Sequence, residues 1–289
     1  MMSAMNGLFV VAKNLFSGVD RNSPEGDRQF RWYWPVVVLF VVVSAGRALT
    51  LGQDSTWDVL NYHFYSGFAF LHKPLNFDFA PAQVQSFFNP LLHVFSYLML
   101  AHLPSMLVTV LLGAFQGLNI YLVFQISRTL FCNWTNPFRF WISFCNAATA
   151  FFGAIFVLEL GTTFGDNLTS ILILSGLLLI FRYLQSDANP NCAPVYLLGI
   201  AGFIIGVVVG LKLTVAIYAA AILIALPAVL LASDRRIRPL LVLGGFLGVG
   251  FIAVYGFWGY SLYQEYGNPV FPYMNIRSRE QVFIIYSMA

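Results

Sequence analysis

The chain has 289 residues and a net charge of +3, and 59% of its residues are hydrophobic while only 9% are charged. Charged residues make up about a quarter of a typical soluble domain, so this composition excludes a water-soluble globular protein. It gives no indication of nucleic-acid binding. Several apolar runs reach about 18 residues, the length that crosses the core of a bilayer. We therefore expect an all-α, polytopic transmembrane protein.

The N-terminal segment, residues 1–31, is predicted to lie in the cytoplasm. Its apolar patch at residues 8–12 is too short to span a membrane and precedes no small-residue cleavage site, so we predict no signal peptide. Basic residues before the first span favour this orientation by the positive-inside rule, namely Lys13, Arg21, Arg28 and Arg31.

Seven spans are predicted, at residues 32–51, 105–127, 140–158, 165–184, 193–211, 213–233 and 239–260. Residues 87–103 leave two topologies open, because they either span the membrane or form a re-entrant or juxtamembrane helix outside it. The second topology places most Lys and Arg residues on the cytoplasmic side, so we predict it. The chain then has a transmembrane module at 32–260, an external loop at 52–104 and an external tail at 261–289.

The external loop carries the first candidate site residues. Asp58 and Tyr62 are four residues apart and share one face if this stretch is helical, with Asn61 beside them. An acid at the outer mouth of a membrane cavity can bind a metal, accept a proton or cap a helix, and its aromatic surroundings favour a functional role here. Asp54 resembles a capping residue and receives a structural role. His63 is either an interfacial hydrogen-bonding residue or a substrate contact.

Further charged residues interrupt the later apolar runs. Glu159 and Asp166 flank a turn between two spans, where acids are costly and seldom idle. Asp166 either caps the following helix or contacts a ligand. Lys212 lies between two apolar stretches, and it either extends to the outer surface or binds an anionic lipid headgroup.

Two groups of glycines fall at intervals that suit close helix packing rather than a phosphate-binding loop. They are Gly202, Gly206 and Gly210, and then Gly244, Gly245, Gly248 and Gly250.

Four segments carry a resemblance to a known superfamily. Asp58-x-x-x-Tyr62 after the first span resembles the first-loop acidic motif of GT-C glycosyltransferases, which include protein O-mannosyltransferases and lipid A aminoarabinose transferases. WDVLNYHFYSGFAFL, FAPAQVQSFFNPLL, ELGTTFGDN and YGNPVFPYMN look like segments of uncharacterised bacterial membrane proteins grouped with these enzymes. The likeness covers roughly residues 30–275.

The resemblance implies a GT-C-like enzyme of the bacterial inner membrane. It would move a sugar from a polyprenyl-phosphate donor to a hydroxyl acceptor on the periplasmic side, in contact with membrane lipid. Asp58 would be the catalytic base, and Glu159 or Asp166 would match the acid of the second external loop. The substrate-binding candidates are Tyr62, His63, Lys212 and Asn89, with Lys212 facing the donor phosphate. A divalent metal is left open.

Two departures and two alternatives accompany this interpretation. Asn89-Pro90 stands where many relatives carry Lys-Pro-Pro, so no lysine contact to phosphate is transferred there. Relatives continue through more spans, so we expect a C-terminally truncated form. The alternatives are a lipid or solute transporter and an inactive membrane remnant that binds a partner. Transporters tend to show paired broken helices in two halves, and no internal repeat is visible here.

Overall fold

The computed structural model of the chain describes residues 34–72, 83–186, 194–232 and 238–273. Over these ranges the regular elements are all helical, which confirms the expected all-α class. The α-helices are α1 Trp34–Leu51, α2 Phe64–His72, α3 Leu91–His102, α4 Ser105–Gln116, α5 Leu118–Leu130, α6 Asn136–Phe151, α7 Ala154–Leu158, α8 Asp166–Gln185, α9 Tyr196–Leu211, α10 Ala216–Ala232 and α11 Arg238–Tyr266.

Five helical segments of the described chain are long and apolar enough to cross a membrane. They are Trp34–Leu51, Ser105–Leu130, Asp166–Gln185, Leu213–Leu231 and Arg238–Tyr266. Each overlaps one of the seven predicted spans, so a membrane protein with several crossings is supported. The N-terminal segment 1–31 and most of the tail lie outside the described residues.

The other two predicted spans differ from the prediction. The span predicted at 140–158 is not confirmed, because the helix is interrupted there: α6 ends at Phe151 and α7 begins only at Ala154. Gly153 takes an extended conformation (φ −59°, ψ 129°) that breaks the helix between them. α9 has 16 residues, about 24 Å, which is less than the roughly 30 Å core of a bilayer.

Residues 83–102 form a 3₁₀-helix, Gln83–Phe87, followed by α3. α3 has 12 residues, so it is about 18 Å long and too short to cross a bilayer. It packs closely against α2, since a Cβ at Gly67 would lie 2.5 Å from the Tyr97 Cβ. This short helical pair agrees with a re-entrant or juxtamembrane arrangement.

Glycines bring α9 and α11 into backbone contact. A Cβ at Gly202 would lie 2.3 Å from the Leu243 carbonyl oxygen, and one at Gly206 would lie 2.0 Å from the Leu247 oxygen. The predicted helix-packing role is therefore confirmed for these positions. It is wrong for Gly244, Gly245 and Gly248, where an added Cβ would have no described atom within 4 Å.

Candidate functional site

Asp54 links the end of α1 to the turn before α8. Its Oδ1 accepts hydrogen bonds from the Thr56 amide (3.0 Å) and hydroxyl (2.7 Å). Its Oδ2 accepts from the Thr163 amide and hydroxyl, both at 2.8 Å. Burial alone would raise the pKa of Asp54, but these hydrogen bonds outweigh burial and lower it below its ordinary value. The local turn agrees with the structural role predicted for Asp54, and the link to Thr163 extends that role.

The turn at residues 159–165, which we call the second loop, is held by α4. Gly161 and Gly165 have φ values of +81° and +84°, a region that favours glycine. A Cβ at Gly161 would also lie 2.8 Å from Thr109 Cγ2. The buried Gln116 accepts from the Gly161 amide (2.6 Å) and donates to the Thr162 carbonyl (3.1 Å). The second loop is thus fixed in a single conformation beside Asp54.

Asp58 precedes a single turn of π-helix, Val59–His63, and its side chain makes no capping hydrogen bond. Its charge acts on the Tyr62 hydroxyl, so the two side chains lie near each other, as the predicted shared face requires. Burial raises the pKa of the Tyr62 hydroxyl, and the charge and hydrogen bond of Asp58 raise it further. Single π-helical turns occur frequently at functional sites. The structure does not support the alternative that Asp58 caps a helix, since its side chain makes no capping hydrogen bond.

His63 is only 1% exposed and its Nδ1 lies 2.8 Å from Thr163 Oγ1. Burial lowers the pKa of His63 to about 4, against the opposing attraction of Asp58 and Asp54. Its ring stacks on His93 with ring centroids 4.5 Å apart and planes 18° from parallel. His93 Nδ1 is buried and has no hydrogen-bond partner among the described residues. An unpartnered buried group of this kind costs about 1–3 kcal/mol.

Lys212 leaves α9 in an extended conformation (φ −142°, ψ 100°), and its ammonium forms an ion pair with Asp166 Oδ1. Asp166 is the first residue of α8, so its carboxylate lies at the helix end where the dipole favours a negative charge, and it also pairs with Lys212. The two side chains are 25% and 47% exposed. Both charges therefore remain accessible to a ligand.

Glu159 lies one residue beyond α7, in the second loop. Its Oε2 is buried and has no hydrogen-bond partner among the described residues. Burial and the neighbouring charge of Asp166 raise the pKa of Glu159 to about 7, while Lys212 acts in the opposite direction. A carboxyl group with this pKa exchanges its proton readily near neutral pH.

Asn89 connects α3 to the two helices beside it. Its Nδ2 donates to the carbonyls of Gly210 (2.9 Å) and Val254 (3.2 Å), and its Oδ1 accepts from the Leu91 amide (3.1 Å). Gly210 is close to the C-terminus of α9, where carbonyls lack helical partners. These contacts give Asn89 a structural function, and its contact with substrate stays a prediction.

A cavity opens between the π-helical turn, the start of α3, the end of α9 and α11. Its volume is about 70 Å³, which is room for on the order of five water molecules. Its polar lining includes Tyr62, His63, Asn89, His93 and Lys212. Its aromatic lining consists of Phe87, Phe88, Phe164, Tyr255, Phe271 and Tyr273. We call this space the aromatic cavity.

The structure gathers the candidate residues at the helix ends, although not all of them line the aromatic cavity. Asp58, Glu159 and Asp166 lie outside its lining, yet Asp58 contacts Tyr62 and Asp166 pairs with Lys212. Across the described ranges, no group of three His, Cys, Asp or Glu side chains lies close enough to hold a metal ion.

Sequence reasoning missed several residues of this site. Thr163 and His93 contact His63, and Gln116 fixes the second loop. An amide inside the long apolar run Ser105–Leu130 is a recognisable signal for Gln116, since such groups need a partner. No comparable local signal marks Thr163, whose partners are distant in the sequence.

These observations define a helical membrane protein with a polar site and an aromatic cavity at the ends of its helices. Comparison of the chain with models of protein families, with curated proteins and with solved structures finds no match. Function is therefore inferred from the site and from the sequence.

Proposed function

We propose that this chain is a membrane glycosyltransferase that moves a sugar from a polyprenyl-phosphate donor to a hydroxyl acceptor. We place it in the bacterial inner membrane with a cytoplasmic N-terminus, a GT-C-like fold of seven spans and a periplasmic site. One observation carries the proposal. A carboxylate that caps no helix, Asp58, lies in the same cluster as an accessible ammonium group, Lys212.

Asp58 acts as the base in this proposal. A hydroxyl is a weak nucleophile until its proton is removed, and a positioned base typically contributes about 10²–10⁴ in rate. The neighbouring Tyr62 hydroxyl orients the carboxylate by donating to it. Asp166 is close by, because the Tyr62 hydroxyl also experiences its charge.

Lys212 stabilises the departing lipid phosphate, which gains negative charge as the glycosidic bond breaks. Asp166 neutralises the ammonium before the donor binds and is displaced by the phosphate. Glu159, with its raised pKa, exchanges a proton with Asp166 beside it. Asn89 fixes the end of α9 from which Lys212 extends.

The experiment is turnover of radiolabelled polyprenyl-phosphate sugars by membranes that contain the chain. We expect Asp58→Asn to lower transfer or hydrolysis at least a hundredfold, which matches the loss of a base. Lys212→Met should lower turnover at a donor concentration that saturates the wild type, while thermal stability changes little, because a partly exposed ion pair contributes about 1 kcal/mol or less.

Glu265→Gln is the matched control, since Glu265 is an exposed acid at the end of α11. It should leave turnover within twofold of wild type. Full activity of Asp58→Asn would remove Asp58 from the mechanism. No turnover by folded, membrane-inserted wild-type chain with any polyprenyl-phosphate sugar would contradict the proposed activity.

A further inference from the structure

The hydrogen bonds of Thr163 determine which ring nitrogen of His63 carries the hydrogen. The Asp54 carboxylate only accepts hydrogen bonds, so the single hydroxyl hydrogen of Thr163 is donated to Asp54 Oδ2. The Thr163 oxygen is then an acceptor for His63 Nδ1, which lies 2.8 Å away. His63 therefore carries its hydrogen on Nδ1, and its Nε2 presents a lone pair.

The ring of His63 is held on several sides. It stacks on His93, and Tyr62 meets it edge-on with centroids 4.4 Å apart. Phe164 forms a second edge contact, with centroids 6.2 Å apart. Packing and the Thr163 hydrogen bond both restrain the ring, so the Nε2 acceptor has a defined position in a residue that lines the aromatic cavity.

We propose that the aromatic cavity is the binding site for one uncharged sugar ring, a hydroxyl of which donates to His63 Nε2. This rests on the proposed function and deepens it, because it says where the sugar binds and which groups orient it. Asp54 and Thr163 are positioning residues in this site, since they act on the sugar only through His63.

The lining selects this chemistry over others. An acceptor nitrogen requires a ligand that donates, and Lys212 in the same lining disfavours a cation. Aromatic walls suit the apolar faces of a sugar ring, as in most small-molecule sites where few polar groups set orientation. The free volume is too small for a chain of several rings.

His93 provides an independent indication of a ligand. It lines the aromatic cavity and is only 6% exposed. Its Nδ1 lacks a hydrogen-bond partner within the described chain. Buried polar groups in native structures nearly always have a partner, supplied by protein, water or ligand. A sugar hydroxyl is a chemically suitable partner for an unprotonated imidazole nitrogen.

The test uses the full chain in lipid nanodiscs with ¹⁵N-labelled histidine, studied by NMR at pH 7. The probes are methyl glycosides of neutral hexoses, hexose 1-phosphates and inorganic phosphate. We expect wild-type His63 to show the Nδ1–H tautomer and its Nε2 signal to shift on addition of at least one methyl glycoside. An Nε2–H or charged His63 overturns the inference, and so does binding of phosphate-bearing probes alone.

Two variants of one residue sharpen the test. Thr163→Val should weaken glycoside binding about three- to tenfold, the effect of losing one orienting hydrogen bond. Thr163→Ser retains the hydroxyl and should stay within twofold of wild type. His102→Gln alters an exposed histidine of α3 and serves as the control. Equal affinity of the Val and Ser variants overturns the positioning role.

Donor and acceptor sugars share this ring chemistry, and competition separates them. Displacement of the glycoside by a polyprenyl-phosphate hexose assigns the cavity to the donor sugar, whereas simultaneous binding assigns it to the acceptor. Failure of this inference is distinct from failure of the proposed function. Turnover without a His63 response overturns only the cavity assignment, while glycoside binding without turnover overturns only the activity.

Discussion

Replacing Thr163 with Val removes one hydroxyl at the point where three parts of the chain meet. Val has nearly the same shape, so packing around this 1% exposed side chain is preserved. Asp54 loses a hydrogen bond to its carboxylate, worth about 1.5–3 kcal/mol, and the His63 Nδ1–H loses its acceptor, at about 1–3 kcal/mol. The Thr163 amide still donates to Asp54. We expect a loss of about 3–4 kcal/mol in the free energy of unfolding.

Thermal unfolding in detergent, followed by near-ultraviolet circular dichroism, measures this loss. With about 2–4 °C per kcal/mol for a chain of this size class, Tm should fall by about 10 °C. Thr149→Val is the matched control, because Thr149 is exposed and its hydroxyl bonds only the Cys145 carbonyl of its own helix. If both variants lower Tm by the same small amount, the Asp54–Thr163–His63 connection does not stabilise the fold.

Three further predictions use the same unfolding measurement. The pKa of His63 is about 4 in the folded chain and about 6.5 in the unfolded chain, so the free energy of unfolding should fall by up to about 3 kcal/mol as pH drops from 6.5 to 4. His63→Gln should reduce this dependence of stability on pH. An unchanged pH dependence would contradict the lowered pKa of His63. Gly206→Ala should lower the free energy of unfolding by about 1–3 kcal/mol or more, because the added methyl group pushes α9 away from α11. Gly248→Ala should leave stability unchanged or raise it by up to about 1 kcal/mol. The reverse order of the two effects would refute the close packing of the helices at Gly206. Asn89→Ala should lower the free energy of unfolding by about 2 kcal/mol, because its hydrogen bonds to the Gly210 and Val254 carbonyls are lost. Asn61→Ala, on an exposed face, should change stability by no more than about 0.5 kcal/mol. Equal losses would show that the Asn89 hydrogen bonds do not stabilise the fold.

Local patterns in the sequence anticipated the local geometry of the site. Asp58 and Tyr62 are one helical turn apart, so their shared face follows from spacing alone. Gly202 and Gly206 follow the same logic, because small residues four apart leave a flat strip on a helix. In each case the information lies within a few residues of the chain.

Distant partners escaped prediction for a physical reason. Asp166 looks like a helix cap when only its own turn is considered, yet its carboxylate pairs with Lys212, 46 residues away. Thr163 and Asp54 are separated by 109 residues. Average hydrophobicity likewise concealed the break at Gly153, since an apolar run of adequate length does not report a change in one backbone dihedral.

α11 is longer than a bilayer requires, and its extra residues contact the wall of the aromatic cavity. Its 29 residues extend about 44 Å, roughly 14 Å more than the apolar thickness of a bilayer. Arg238 favours an aqueous boundary at the start of the helix, so the excess of about nine residues falls at its other end, from Trp258 to Tyr266. That end supplies the Trp258 indole that donates to the Phe87 carbonyl, and the Tyr266 ring that stacks on Phe271. The last turns of α11 thus support one wall of the aromatic cavity from behind, through Phe87 and Phe271, and a helix trimmed to bilayer length would leave that wall without support.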